Sequence, residues 1–239
     1  MNLTDQVVLV TGANRGLGAR LVRQLLDAGV RRVYATARDS AGISTDVAAD
    51  PRVRLLALDV TDPASVSAAA AAATDVTVLV NNAGVLNFGG VLDGDLADFE
   101  KDLQTNYLGA LRATRAFVPV LESNAPAAIV NILTLIALAP VGPMAGYSAS
   151  KAAAHSMTQA LRAAVRGRGI EVLGAYPGGM DTDMLSGVDA EKAAPEIVAE
   201  RIIAALQAGK SLVFPDDVSA GAGSVYLADP VQLEQMLAG

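Results

Sequence analysis

Tyr147 and Lys151 stand four residues apart in Gly146-Tyr147-Ser148-Ala149-Ser150-Lys151, just past the irregular segment Ala139 to Pro143 and at the head of an alanine-rich helical pattern. That spacing puts both side chains on one helical face. A phenol ordinarily ionises near ~10, and a fixed ammonium one turn away favours its anion. A pair of this kind can hand a proton to, or take one from, an oxygen being reduced or oxidised. The same spacing also suits a tyrosine on a buried face beside a lysine that snorkels to water. The rest of the chain must decide between the two.

A second cluster has a different chemistry. Thr11-Gly12-Ala13-Asn14-Arg15-Gly16-Leu17-Gly18 closes the apolar run Gln6 to Thr11 and opens a window, Leu17 to Ala28, with apolar residues at Leu17, Leu21, Leu25 and Leu26. This predicts a strand, a glycine turn and a helix. Glycine permits the tight turn and lets backbone approach a pyrophosphate, whose charge then meets the helix N-terminus.

The elements that must hold these groups repeat the same rhythm. Strands are predicted at Arg32 to Thr36, Val53 to Leu58, Val76 to Val80, Ala128 to Leu133 and Glu171 to Ala175, with a short closing strand at Ser211 to Phe214. The helices between and after them are a short one following Thr36, then Asp62 to Thr74, Leu96 to Leu121, Tyr147 to Arg166, Pro195 to Ala208 and Asp229 to Leu237. Strands alternating with helices imply a parallel sheet covered on both faces. The expected fold is α/β: a Rossmann-type doubly wound sheet in three α/β/α layers, one domain over residues 1–239 with no linker. The alanine run Ala68 to Ala73 follows Thr61-Asp62-Pro63, a helix-start signal, and reads as a packing surface.

Composition narrows the functions. Apolar residues make up 52% and aromatic ones 4%, so the hydrophobicity comes from Ala, Val and Leu, as buried parallel strands require. A formal charge of -7 argues against general affinity for nucleic acid or anionic lipid. With no cysteine, disulfides, a thiol nucleophile and a cysteine zinc site are excluded. The run Val7 to Val10 is too short for a signal-peptide core, and Ile132 to Val141 falls far short of the roughly 20 residues of a membrane helix. A cytoplasmic protein is the expectation. Asp181, Asp183, Asp216 and Asp217 show no metal-loop spacing and read as loop and cap residues, so no metal is expected. His155, the single histidine, has no nucleophile elbow to activate and is set aside.

The spacing of Gly12, Gly16 and Gly18 resembles the T-G-x-x-x-G-x-G turn of the short-chain dehydrogenase/reductase family. The likeness continues in order along the chain. Asp59-Val60 resembles the adenine contact, Asn81-Asn82-Ala83-Gly84 the NNAG signature, Asn106 the helix asparagine, Tyr147 and Lys151 the active-site pair, and Pro177-Gly178 with Thr182 the nicotinamide-side loop. The resemblance implies that a dinucleotide contacts Gly12, Asn14, Arg15, Gly16, Leu17, Gly18, Asp59, Val60, Asn82, Ala83, Gly84, Tyr147, Lys151, Pro177, Gly178 and Thr182.

Cofactor choice depends on the end of the second strand, where an acid can hold a ribose 2′-hydroxyl and an arginine a 2′-phosphate. The position that resembles the family's NAD-selecting aspartate is Ala37, and Arg38 follows it; Arg15 is a second basic group placed as in NADP-preferring relatives. NADP(H) is expected over NAD(H), although Asp39 could neutralise Arg38.

The implied reaction is NADPH-dependent reduction of a ketone or aldehyde, or the reverse oxidation of an alcohol, as in carbonyl reductases. Tyr147 is then the general acid, Lys151 lowers its pKa and holds ribose, and Asn106 anchors a water leading to solvent. The family's serine, thirteen residues before the tyrosine, is here Thr134, whose added methyl restricts its orientation. Phe88, Met144 and Met184 are expected to wall an open apolar substrate pocket. The small residues Ala149, Ala152, Ala153, Ala160, Ala163 and Ala164 on the Tyr147 helix suit contact between subunits, and a homotetramer or dimer is expected. Two alternatives remain: a non-catalytic NADP-binding regulator, supported by the missing serine, and an NAD-linked alcohol dehydrogenase.

Overall fold

The computed structural model describes residues 1–237. Seven strands form one sheet in the order β3-β2-β1-β4-β5-β6-β7, and every neighbouring pair is parallel. They are β1 (Val7–Val10), β2 (Arg32–Ala37), β3 (Val53–Ala57), β4 (Val78–Asn81), β5 (Ala127–Ile132), β6 (Ile170–Ala175) and β7 (Leu212–Val213). The helices are α1 (Gly16–Asp27), α2 (Thr45–Ala48), α3 (Pro63–Ala72), α4 (Leu96–Asp102), α5 (Ala110–Ser123), α6 (Ala145–Ala164), α7 (Pro195–Gln207), α8 (Asp217–Ala228) and α9 (Pro230–Leu237).

The apolar runs of β1, β4 and β5, broken only at Asn81 and Asn131, have a direct cause: every residue in these strands is buried, as helices on both faces demand. On one face Leu21, Val22 and Leu25 of α1 pack with Val198, Ile202 and Leu206 of α7 over Val8 and Val80. On the other, Phe117 and Leu121 of α5 and Val66 and Ala69 of α3 cover Val7, Leu9 and Leu79. The expected three-layer doubly wound sheet is therefore present. Its strand order reverses between β1 and β4, and in such sheets the crevice beyond the strand ends at that point binds ligands. The glycine turn lies there.

Two features differ from the expectation. The helix predicted from Leu96 to Leu121 is interrupted at Leu103–Gly109 by a π-helical segment that carries Asn106; wide turns of this kind are frequent at functional sites. At the far end, α8 was not predicted, because Asp217-Val218-Ser219-Ala220-Gly221-Ala222-Gly223 has no apolar contrast and carries two helix-weakening glycines. Tertiary packing decides instead. The ring of Phe214 lies where a Cβ on Gly223 would stand, and Asp216 with Ser219 forms a reciprocal capping box.

Candidate active site

The glycine turn is held open by specific contacts. Gly12 and Gly16 have φ of +67° and +53°, backbone that side-chain-bearing residues seldom adopt. A Cβ on Gly18 would run into the Gly12 carbonyl and the Asn82 amide. Asn82 explains the closeness: its Nδ2 donates to the carbonyls of Thr11 (2.9 Å) and Gly12 (3.0 Å). The Thr11 hydroxyl in turn accepts the backbone N–H groups of Asn82 and Ala83, each at 2.9 Å. Helix α1 then starts with no side-chain cap and no acidic residue in its first turn. Its N–H groups and positive dipole end are thus available to an anion, which is the fit a dinucleotide pyrophosphate requires.

From this turn a cleft of about 560 Å³ runs to the chemical pair. Its walls include Gly12, Asn14, Arg15, Gly16, Leu17, Gly18, Arg38, Asp59, Val60, Asn82, Ala83, Gly84, Tyr147, Lys151 and Thr182. Pro177 and Gly178 are not among its walls: the Pro177 carbonyl accepts from Leu135 N–H, and Gly178 N–H donates to Asp216 at 2.9 Å.

At the end of β2, Asp39 has a local partner. Its carboxylate accepts Ala41 N–H at 2.9 Å and caps the short 3₁₀ turn Ser40–Gly42, and it forms no ion pair with Arg38 among the described residues. The neighbouring Asp59 is held below the usual carboxylate range, chiefly by the hydrogen bond from the Thr61 hydroxyl at 2.7 Å, with Arg38 adding a weaker attraction. Arg15 reaches Asp183 at 3.6 Å, both side chains exposed; such a pair contributes little to stability.

At the chemical end Tyr147 and Lys151 occupy the first turns of α6, both buried. Lys151 Nζ donates to the Ile132 carbonyl at 2.8 Å and lies 5.8 Å from the centre of the Tyr147 ring. The π segment aims Asn106 inward. Its Oδ1 accepts Val85 N–H and its Nδ2 donates to the Val85 carbonyl and the Ser150 hydroxyl, all at 2.9 Å. Asn106 therefore ties the loop after β4 to α6.

The electrostatics correct one expectation. Lys151 does not pull the Tyr147 phenol down in this state; burial, and then the Asp102 carboxylate, hold that phenol above its ordinary value. Burial likewise lowers the Lys151 ammonium to about 8, with Asp102 opposing. The expectation weighed the cation alone, whereas desolvation acts on both charged forms.

Thr134 is also placed differently from a free substrate donor. It is buried at the end of β5, and its hydroxyl donates to the Pro177 carbonyl at 3.2 Å. Of the three expected substrate contacts, Met184 lines the cleft. Phe88 is 53% exposed on the loop after β4. Met144 precedes α6 and bridges to Gly89. Neither Phe88 nor Met144 borders the cleft. His155 sits behind the site, its Nδ1 2.7 Å from the Tyr176 hydroxyl, and burial lowers its pKa. Asp102 was missed at the sequence level, yet an acid on the same helical stripe as Phe99 and Asn106 was a legible signal.

A parallel sheet with a glycine turn at its switch point and a tyrosine–lysine pair at the end of the cleft defines a dinucleotide-dependent oxidoreductase. The sequence profile of the short chain dehydrogenase family matches residues 6–193, and the chain belongs to that family, whose members act on alcohol groups. It is 33% identical to the short chain dehydrogenase pigC of Monascus ruber over 84% of this chain and 74% of that one. It is also 33% identical to a 3-alpha-(or 20-beta)-hydroxysteroid dehydrogenase of Mycobacterium bovis, over 76% of this chain and 72% of that one. A crystal structure of a short chain dehydrogenase from Burkholderia cenocepacia J2315 in complex with NADP superposes with a TM-score of 0.94 at 36% identity, all of both chains being covered. A family member from Burkholderia phymatum in complex with NAD shares the fold, with a TM-score of 0.87 at 22% identity over 98% of this chain and 96% of that one. Among the described residues no helix is long and apolar enough to cross a membrane.

Proposed function

We propose that this oxidoreductase is an NADPH-dependent carbonyl reductase, with Tyr147 as the proton donor to the carbonyl oxygen and the reverse role in alcohol oxidation. The observation that carries the reading is the Tyr147–Lys151 pair in a cleft continuous with the glycine turn. When bound, a nicotinamide dinucleotide supplies the hydride. Gly12, Asn14, Gly16, Leu17 and Gly18 would hold its pyrophosphate, Asp59 and Val60 its adenine, and Asn82 to Gly84 with Pro177, Gly178 and Thr182 its nicotinamide side.

The protein's own groups then have separate tasks. Tyr147 moves the proton. Lys151 stays close to the phenol as an ammonium and orients the ribose, while Asn106 fixes Val85 and Ser150 around them. Thr134 polarises the substrate oxygen once its hydroxyl turns from the Pro177 carbonyl. Met184 provides an apolar wall.

NADP(H) preference is supported by Arg15 and Arg38 on the cleft wall, by Asp39 being occupied as a cap, and by the NADP held in the Burkholderia cenocepacia relative. An NAD-linked alcohol dehydrogenase is the competing enzyme; side-by-side rates with both cofactors separate the two. A homo-oligomer is supported by the exposed alanines Ala149, Ala152, Ala160, Ala163 and Ala164 along α6; its mass in solution tests it.

Tyr147→Phe tests the central role. General acid catalysis contributes roughly 10²- to 10⁴-fold, so NADPH oxidation with a panel of ketones should fall by that order while NADPH still binds. Turnover at the parent rate would reject Tyr147 as the proton donor.

A further inference from the structure

Phe99, Asp102 and Asn106 follow one another along a single stripe where α4 runs into the π segment. Two of their contacts on α6 fix where that stripe lies. A Cβ on Gly146 would come within 3.0 Å of the Phe99 ring, and Asn106 Nδ2 donates to Ser150 Oγ at 2.9 Å. Asp102 falls between these two contacts, so it faces the stretch of α6 between Gly146 and Ser150, which holds Tyr147 and adjoins Lys151.

The surroundings of that carboxylate are unusual. Asp102 is 1% exposed. One oxygen accepts Asn87 Nδ2 at 2.9 Å, and the other is buried with no hydrogen-bond partner. A buried anion left half-satisfied is costly unless a charge compensates it. On its own helix the charged group that acts on it is Asp98, which is engaged by Lys101 at 2.8 Å. The loop after β4 contributes the neutral Asn87, and the π segment contributes Tyr107 and no formally charged side chain. From α6 come Tyr147 and Lys151. Lys151 is thus the cation available to it.

We propose that Asp102 is the buried counter-charge of Lys151 beside Tyr147, keeping Lys151 an ammonium despite its burial. The inference rests on the reading of Tyr147 as proton donor for its functional meaning, and makes Asp102 a positioning residue that acts through that pair. Burial pushes the Asp102 carboxyl up to about 6, so at neutral pH it is largely anionic. Burial holds Lys151 down to about 8 while Asp102 works against the fall. At Tyr147 the same anion adds to burial and disfavours the phenolate. Tyr147 is protonated at neutral pH with or without Asp102, so what the anion adds to proton donation is the ammonium it preserves at Lys151. Below about pH 6 Asp102 becomes neutral and the support is withdrawn.

The test is a titration of Lys151 that does not depend on turnover. The chain has four lysines, Lys101, Lys151, Lys192 and Lys210, so carbon-13-labelled lysine gives a spectrum in which the Lys151 signal is assigned by its loss in Lys151→Met. In Asp102→Asn, which can still accept from Asn87, the Lys151 midpoint should drop by about one pH unit. The alkaline limb of the turnover profile should move the same way. Asp102→Leu, which removes charge and orphan oxygen together, must shift the midpoint in the same direction if the asparagine variant folds poorly. An unmoved or raised midpoint overturns the proposal, since a merely structural role would lower the rate without changing either titration. A fully active Tyr147→Phe would instead reject the proton-donor reading while leaving the charge coupling measured by the lysine signal.

Discussion

The hydroxyl of Thr134 donates to the carbonyl of Pro177 at 3.2 Å, joining the end of β5 to the segment that follows β6. The bond is long for a hydroxyl donor, whose usual distance is about 2.7–2.8 Å, and it occupies the one proton Thr134 could offer a substrate. Serine has the same hydroxyl without the methyl that restricts χ1. Thr134→Ser should therefore retain or raise kcat. Thr134→Val removes the donor and should lower kcat by about 10²-fold, the effect of deleting one oxyanion donor. Steady-state rates of the two variants with one ketone decide the matter, and a fully active valine variant would exclude Thr134 from the chemistry.

Arg38 is exposed at the end of β2, and Asp39 beside it is engaged with Ala41 N–H. Free of that neighbour, its guanidinium is suited to a 2′-phosphate. Arg38→Ala should raise the KM for NADPH by about 10-fold, close to 1.4 kcal/mol, and leave the KM for NADH nearly unchanged. The difference between cofactors should shrink at high salt, because the contact is exposed and screened. An Arg38→Ala protein that binds NADPH as tightly as its parent would remove Arg38 from cofactor selection.

What could be read in the sequence follows a physical divide. The buried runs of β1, β4 and β5 and the glycine turn announce themselves because local composition and tertiary burial demand the same residues. That Tyr147 and Lys151 share a helical face was also legible by spacing, whereas Asn106 was singled out only by the family resemblance. The π segment was not legible, since a wide turn leaves no trace in a helical apolar pattern, and α8 was hidden because Phe214 packing requires a helix-weakening glycine at 223. The direction of the Tyr147 pKa shift was read with the wrong sign for the same reason: spacing reveals the lysine four residues on, while desolvation depends on everything packed around both.

Asp102 makes a stability prediction distinct from its role beside Lys151. Its folded pKa, about 6, lies above the ordinary carboxylate value because of burial. A raised acid pKa means that the folded state binds the proton more tightly than the unfolded one, so stability is lost as pH rises from about 4 through about 6. Asp102→Asn removes that penalty. At pH 7 it should unfold later than the parent, by on the order of 2 kcal/mol, and the difference should vanish near pH 4 and below. Denaturant midpoints across this range provide the check; a pH-independent difference would mean that packing, not ionisation, is responsible.

Asp216 links the C-terminal helices to the cofactor side of the cleft. Its carboxylate, 2% exposed, accepts Gly178 N–H at 2.9 Å, Ser219 N–H at 2.8 Å and the Ser219 hydroxyl at 2.8 Å. The last two bonds cap α8, whereas the first crosses to the segment just after Pro177. Asp216→Ala should destabilise the protein by about 2 kcal/mol, combining a lost cap with a buried N–H left without its acceptor. Ser219→Ala breaks only part of the capping box and leaves the Gly178 bond, so it isolates the first contribution. If the Gly178 bond positions the nicotinamide side, Asp216→Ala should raise the KM for the dinucleotide several-fold more than Ser219→Ala does under conditions where both are fully folded. Equal KM values in the two variants would confine Asp216 to capping α8.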